Sequence, residues 1–116
     1  MVSILIDELT NSIRHRKTNT RVETIIQKIS PTELIQLMNW QFDWQRESRN
    51  NDIYKLTIAE LPKQIQGLIS IQIKKGYVLV PLVENAPFNI GKNGNYEGVA
   101  GNLFAHACQL SVELGF

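Results

Sequence analysis

The feature that most constrains this chain is a run of nearly uncharged segments toward its C-terminal end. The segment Tyr77–Val83 is apolar at every position, which is typical of a strand covered on both faces. After a polar loop, Asn95–Gly101 supplies two glycines directly before Asn102–Leu114, where apolar residues recur at helical spacing. The sequence therefore predicts a buried strand, a loop and a glycine-bearing turn that leads directly into an amphipathic helix.

The turn Asn95–Gly101 has the local chemistry of an anion-binding site. The first N–H groups of a helix lack partners within it, and they lie at the positive end of the helix dipole. Both properties favour a phosphate group in front of the helix. The turn lacks the lysine and Ser/Thr of a P-loop and the glycine spacing of a dinucleotide fingerprint. Nucleoside triphosphates and dinucleotides are therefore not predicted ligands.

Length and composition limit the range of folds and partners. A chain of 116 residues with 43% hydrophobic residues predicts one domain with its own core. Its 12 basic and 11 acidic residues leave a net charge of +1, too little for the basic stripe that binds nucleic acid. It has no signal-peptide pattern, no membrane-length apolar run and a single cysteine, Cys108. We therefore expect a cytoplasmic protein that binds neither nucleic acid nor membrane.

The first half of the chain predicts a helix, a strand and a second helix. Ser3–Arg16 carries apolar residues at helical spacing, and Arg21–Ile29 is rich in β-branched residues. Ser30-Pro31-Thr32-Glu33 is a capping box with proline at the first helical position, so it marks the start of the second helix.

The second half predicts three antiparallel strands and the last helix. Ile53–Ala59 and Gln64–Ile73 lead through a turn at Lys74-Lys75-Gly76 into Tyr77–Val83. Pro81 cannot donate to a sheet ladder, so we expect this strand to be unpaired on one side near Pro81. The predicted fold class is α+β, with a central, mostly antiparallel sheet of about four strands flanked by helices.

Three side-chain clusters invite functional interpretations that each have an ordinary alternative. The segment Arg14-His15-Arg16-Lys17 has the charge of a phosphate site, but basic residues are also expected at a helix C-terminus. Trp40, Phe42 and Trp44 cannot share one helix face, so one lines a pocket unless they pack at the helix end. His106 and Cys108 lack a third catalytic or metal-binding partner, and we predict that they are ordinary helix residues.

The order of elements, together with the turn, resembles the GNAT superfamily of acyl-CoA-dependent N-acetyltransferases. The family signature, [Gln/Arg]-x-x-Gly-x-[Gly/Ala], is similar to Asn95-Tyr96-Glu97-Gly98-Val99-Ala100. Pro81 stands where the fourth strand of the family bulges, and Leu103 lies on the helix that follows the signature. Longer stretches resemble an uncharacterised bacterial branch of the family, namely Ile65–Ser70, Glu84–Asn89 and Gly98–Leu103.

The resemblance implies an enzyme that moves an acetyl group from acetyl-CoA, as co-substrate, to an unidentified small-molecule or protein amine without a metal. The pyrophosphate would bind backbone N–H groups of the turn, and the pantetheine arm would pair with the edge near Leu82 and Val83. A backbone N–H of that strand would then polarise the thioester carbonyl. The implied coenzyme-binding residues are Leu82, Val83, Asn95, Tyr96, Glu97, Gly98, Val99, Ala100, Gly101 and Asn102.

Glu84 is the candidate catalytic residue. The attacking amine must lose a proton, and Glu84 is the acid nearest in sequence to the place where the amine would lie. The alternative is a solvent-exposed charge at the end of a strand.

The resemblance covers only the N-terminal part of the family's domain, because the family continues with a fifth strand, a helix and two more strands. We therefore expect residues 1–116 to form a single, incomplete acetyltransferase-like domain. In such a domain the apolar strand Tyr77–Val83 becomes an open edge that self-associates. The alternative function is a truncated, catalytically silent binding or interaction module.

Overall fold

The structure is a computed structural model that describes residues 12–91 and 94–116. These residues form six strands, three α-helices and a 3₁₀ turn at Pro87–Asn89. The strands are β1 (Ser12–His15), β2 (Arg21–Lys28), β3 (Asp52–Ile58), β4 (Gly67–Lys74), β5 (Tyr77–Asn85) and β6 (Tyr96–Glu97). The helices are α1 (Pro31–Gln36), α2 (Trp44–Glu47) and α3 (Val99–Glu113).

All six strands belong to one antiparallel sheet with the order β5-β4-β3-β2-β1-β6. Neighbours in the chain are neighbours in the sheet except for β6, which follows β5 in sequence but pairs with β1 at the opposite edge. The sheet is curled, and α3 lies against its inner face in contact with β5, β4 and β1.

Apolar side chains cover both faces of the sheet. The inner layer lies between the sheet and α3, and its buried members are Ile13, Leu56, Ile58, Ile69, Ile71, Val99, Leu103 and Ala107. The outer layer is smaller and lies under the segment that contains α1 and α2. Its buried members are Trp44, Ile53 and Leu68. Burial of these side chains on both faces is the main stabilising contribution to the fold.

The predicted α+β arrangement of about four strands flanked by helices is wrong. The chain instead forms a six-stranded, curled antiparallel sheet that is mostly β. The helical share is small because α1 has six residues and α2 has four. This layout is not the helix-flanked, four-stranded arrangement of a GNAT-like fold.

The first helix is wrong over Ser12–Arg16, where the chain forms β1 and a turn. Ile13 pairs with Val22 and is 1% exposed, so its side chain joins the inner layer. The turn between β1 and β2 includes Asn19 at φ 56°, a left-handed conformation that asparagine tolerates. Pairing with β2 and burial of Ile13 outweigh the helical spacing of the apolar residues. The earlier part of that prediction, residues 3–11, lies outside the described residues.

The start of the second helix is confirmed, but its length is not. The Ser30 hydroxyl accepts a hydrogen bond from the Glu33 N–H at 3.1 Å, and the Ser30 N–H donates to the Glu33 carboxylate at 3.1 Å. The helix ends at Gln36 because Leu37 is extended and Asn39 has φ 67°. Because α1 ends at Gln36, Trp44 lies outside it, begins α2 and packs in the outer layer.

The predicted strands are confirmed in position to within a few residues, as are the turn before β5 and the last helix. The predicted burial of Tyr77–Val83 on both faces is wrong, because β5 is an edge strand on which Tyr77 and Leu79 are 53% and 40% exposed. The register of the β4–β5 pair shifts between Ser70–Leu82 and Gln72–Leu79, so β5 carries one extra residue around Pro81. This extra residue forms a β-bulge. The expected unpaired side near Pro81 is confirmed within the described residues, because β5 is an edge strand that pairs with β4 alone. As also expected, α3 is followed by Gly115, at φ 79°. Within residues 12–91 and 94–116, no helix is long and apolar enough to cross a membrane.

Candidate functional site

The turn before α3 is uncapped by any side chain. Gly98 is the N-cap residue, at φ 94° and ψ 2°, and it supplies no side-chain acceptor. Only glycine adopts this conformation without a steric penalty, because it has no Cβ atom. The first N–H groups of α3 are therefore left for an external acceptor, in front of a helix of 15 residues.

Asn102 fixes the turn to the sheet. Its side-chain nitrogen donates to the Ser12 carbonyl at 3.0 Å and to the Gly98 carbonyl at 2.8 Å. Its side-chain oxygen accepts from the Thr24 hydroxyl at 3.4 Å. Because Asn102 is 1% exposed and fully engaged, its side chain positions the turn and is not free for a ligand.

A polar hollow of about 360 Å³ adjoins the turn. Its charged groups are Arg14, Arg21 and Glu97, and its other lining residues are Ser12, Ile13, Gly98 and Asn102. Arg14 forms an ion pair with Glu97, across the β1–β6 pair, and Arg21 donates to the Ser12 hydroxyl at 3.1 Å. Two guanidinium groups against one carboxylate leave the hollow with an excess of positive charge.

The basic segment 14–17 is divided by the fold. Arg14 lines the hollow, whereas the Arg16 side chain donates to the Gly91 carbonyl at 2.9 Å. The explanation by a helix dipole is wrong, since these residues lie in β1 and the following turn.

The end of β5 and the turn meet at Gly67, the first residue of β4. A Cβ atom at Gly67 would lie 2.5 Å from Val99 Cγ1 and 3.3 Å from the Glu84 carbonyl oxygen. Leu82 and Val83 are on opposite faces, because Leu82 packs with the outer layer and Val83 with the inner layer. Val99 and the Glu84 carbonyl thus lie close together around Gly67.

The turn is also held by the segment that follows β5. The Asn89 side chain donates to the Gln66 carbonyl and side-chain oxygens at 3.1 and 2.9 Å and accepts from the Tyr96 N–H at 3.1 Å. The N–H of Asn95 donates to the Phe88 carbonyl at 3.1 Å. Residues 95–97 are therefore positioned by buried hydrogen bonds from the neighbouring loop.

Glu84 is 6% exposed, so the alternative of a solvent-exposed charge at a strand end is wrong. Its carboxylate accepts three hydrogen bonds, from the Gln41 N–H at 2.6 Å, the Phe42 N–H at 3.2 Å and the Trp44 indole N–H at 2.8 Å. These bonds fasten the aromatic segment to β5. The role of Glu84 as a general base stays a prediction.

The aromatic cluster shows both predicted environments. Trp44 is buried in the outer layer, and Trp40 packs against that layer. Trp40 also lines an open hollow of about 520 Å³ together with Ile65 and Phe88, while Phe42 is 40% exposed.

His106 contacts the Tyr54 ring, with centroids 4.9 Å apart, while Cys108 is exposed. Burial lowers the pKa of His106, and the charge of Glu113 offsets part of that effect. In the part of the chain that the structure describes, no three His, Cys, Asp or Glu side chains are placed to hold a metal ion.

Sequence reasoning missed the contributions of Ser12, Arg21 and Asn89 to the site. The alternation of Ser12, Ile13 and Arg14 was the available signal for β1, which carries Ser12. Nothing local marks Asn89, because its partners lie 23 residues before it and seven residues after it.

No protein-family model matches this chain, and no curated protein or solved structure is significantly similar to it. The similarity to N-acetyltransferases therefore stays a prediction that rests on the residues themselves.

Proposed function

We propose that this chain binds acetyl-CoA at the N-terminus of α3 and transfers the acetyl group to an amine. The observation that carries the proposal is the uncapped Gly98 turn beside a hollow with Arg14 and Arg21. Backbone N–H groups, a helix dipole and an excess of positive charge together favour a diphosphate. The proposed contacts to the coenzyme come from the first backbone N–H groups of α3, at residues 99–101, since the N–H groups of Asn95, Tyr96 and Asn102 already have acceptors within the chain.

The open side of β5 supports the second half of the proposal. Beyond the bulge, Leu82 and Val83 belong to an edge strand whose paired side faces β4. An amide-containing arm such as pantetheine pairs with such an edge as an extended peptide does. Gly67 keeps the end of β5 at Glu84 close to Val99, at the start of α3.

In the proposed reaction, the amine nitrogen attacks the thioester carbonyl carbon. A C–N bond forms, the C–S bond breaks, and the coenzyme leaves as a thiolate, which becomes the free thiol when it takes up the proton that the amine nitrogen has lost. Glu84 is the proposed acceptor of the amine proton. The amine substrate is a small molecule or a protein side chain.

The test compares two glycines that both have a positive φ. Gly98 and Gly115 have φ values of 94° and 79°. A new Cβ atom at Gly98 would lie no nearer than 3.8 Å to a neighbour, and one at Gly115 would have no neighbour within 4 Å. Each alanine substitution therefore costs a similar strain of about 1 kcal/mol. Titration calorimetry with CoA should show an affinity loss of about tenfold or more for Gly98→Ala, because the methyl group stands where the diphosphate approaches.

Gly115→Ala should bind CoA as the wild-type chain does. Equal losses in both variants would show that strain alone matters and would contradict a site at the turn. A wild-type chain that binds no CoA would overturn the proposed function. Release of free thiol from acetyl-CoA in the presence of a panel of primary amines tests the transfer step.

The hydrogen bonds of Glu84 favour a second candidate function, a binding or interaction module without catalysis. A carboxylate that holds three N–H donors is already used for structure. Binding of CoA without thiol release from acetyl-CoA, whichever amine is supplied, would select this candidate.

A further inference from the structure

The strand β5 is an edge that the described structure leaves open. It is nine residues long and pairs with β4 on one side, while the sheet order places no described strand on its other side. Open edges present a row of backbone donors and acceptors that pair readily with another strand.

The part of β5 before the bulge, Tyr77–Val80, is regular and lacks charge. Its register with β4 runs without interruption from Lys74–Tyr77 to Gln72–Leu79. Tyr77 and Leu79 are 53% and 40% exposed. Val78 and Val80 pack against the inner layer but are only half-buried. A partner that covers this edge must therefore extend both apolar faces of the sheet at once.

We propose that Tyr77–Val80 pairs antiparallel with the same segment of a second copy of this chain. A partner strand for this edge needs apolar side chains on both faces, and Tyr77–Val80 itself has them. A net charge of +1 gives little repulsion between copies. Antiparallel pairing also places the two Lys74-Lys75 turns at opposite ends of the paired strands, whereas parallel pairing would set four lysines side by side.

The dimer contact and the proposed coenzyme contact use different parts of β5. The bulge at Val80-Pro81 divides the edge, and Leu82 and Val83 lie beyond it. Proline lacks an N–H, so the regular pairing ends there. Four residues a side form a small interface, and we expect reversible association at micromolar or higher concentrations.

The first test is sedimentation velocity over a concentration series of the full chain. The wild-type sedimentation coefficient should rise with concentration toward that of a dimer. Leu79→Lys should weaken association by at least tenfold, because it places a charge on each paired strand. Met38→Lys makes the same change at a residue that is 76% exposed on a loop, and it should leave association unchanged. A monomer at every concentration, or equal effects of both substitutions, would overturn the proposal.

The second test uses cross-linking in a Cys108→Ser background and does not depend on the lysine variant. Antiparallel pairing of Tyr77–Val80 with its own copy sets Val78 opposite Leu79 of the second copy, so an equimolar mixture of the Val78→Cys and Leu79→Cys chains should form a disulfide-linked mixed dimer on mild oxidation. Lys75→Cys should remain monomeric, because its two copies lie at opposite ends. The reverse result would indicate parallel pairing, and cross-linking of neither would exclude the contact. Both of these outcomes would overturn the proposal.

Discussion

At the scale of single residues, Glu84 shows how a site residue can have a structural task. It lies near the end of the edge strand β5, and its carboxylate binds N–H groups from a segment about 40 residues earlier in the chain. The sequence marks Glu84 as unusual because it is the first charge after Tyr77–Val83. Its partners could not be predicted, because two of them are backbone groups whose positions depend on the early end of α1.

We predict that Glu84→Gln destabilises the fold by about 2–3 kcal/mol. Glutamine keeps one acceptor oxygen but turns the other position into a donor, which then faces N–H groups that need an acceptor. Urea unfolding measures the free energy, and the emission of Trp44 should shift to longer wavelength as its indole loses its partner.

Glu60→Gln is the matched control for Glu84, because Glu60 is exposed and the change in charge is the same. It should alter the free energy of unfolding by less than about 0.5 kcal/mol. If Glu84→Gln is no more destabilising than this control, the three hydrogen bonds do not hold the aromatic segment in place.

At the scale of elements, strands were easier to predict than helix lengths. The strand Arg21–Lys28 and the capping box at Ser30 have strong local signals, and both are present. The helix over Ser12–Arg16 was wrong because its apolar spacing fitted two structures, and pairing with β2 selected the strand. The choice between helix and strand for such a segment depends on contacts with residues distant in sequence, which a local pattern does not contain.

The capping box of α1 predicts a dependence of stability on pH. Burial alone would raise the pKa of Glu33, but hydrogen bonds from Lys55 and Ser30 and the charge of Lys55 lower it below the ordinary 4.5. The unfolded chain therefore binds more protons than the folded chain in this range, and stability rises with pH. The contribution of Glu33 is full above about pH 5 and is lost as the pH falls through its lowered pKa.

Glu33→Gln tests this dependence, because glutamine can still complete the capping box without the charge. The wild-type chain should be the more stable of the two at pH 7, and the difference in unfolding free energy should shrink at pH 4 and pH 3. A difference that stays constant from pH 7 to pH 3 would show that the ion pair with Lys55 contributes nothing.

At the scale of the whole molecule, Gly67 controls how closely α3 approaches the sheet. A side chain there would meet Val99 and Leu103, which are both buried in the inner layer. Val99 is β-branched and has little freedom to turn away. We predict that Gly67→Ala destabilises the chain by about 1–3 kcal/mol.

Val99→Ala gives the control for Gly67, since it removes the atom that the new methyl group would strike at 2.5 Å. In that background Gly67→Ala should cost less, and the double-mutant cycle of unfolding free energies should give a favourable coupling. Independent, additive effects would mean that α3 does not rest on Gly67.

The two edges of the described sheet are unequal, since β5 has nine residues whereas β6 has two. A self-complementary contact through Tyr77–Val80 occupies the regular part of the long edge of each copy. What remains exposed at either end of the joined sheet is the two-residue strand, which is too short to recruit another chain. Each copy therefore binds one partner through β5, so association stops at a dimer and does not continue into a fibre.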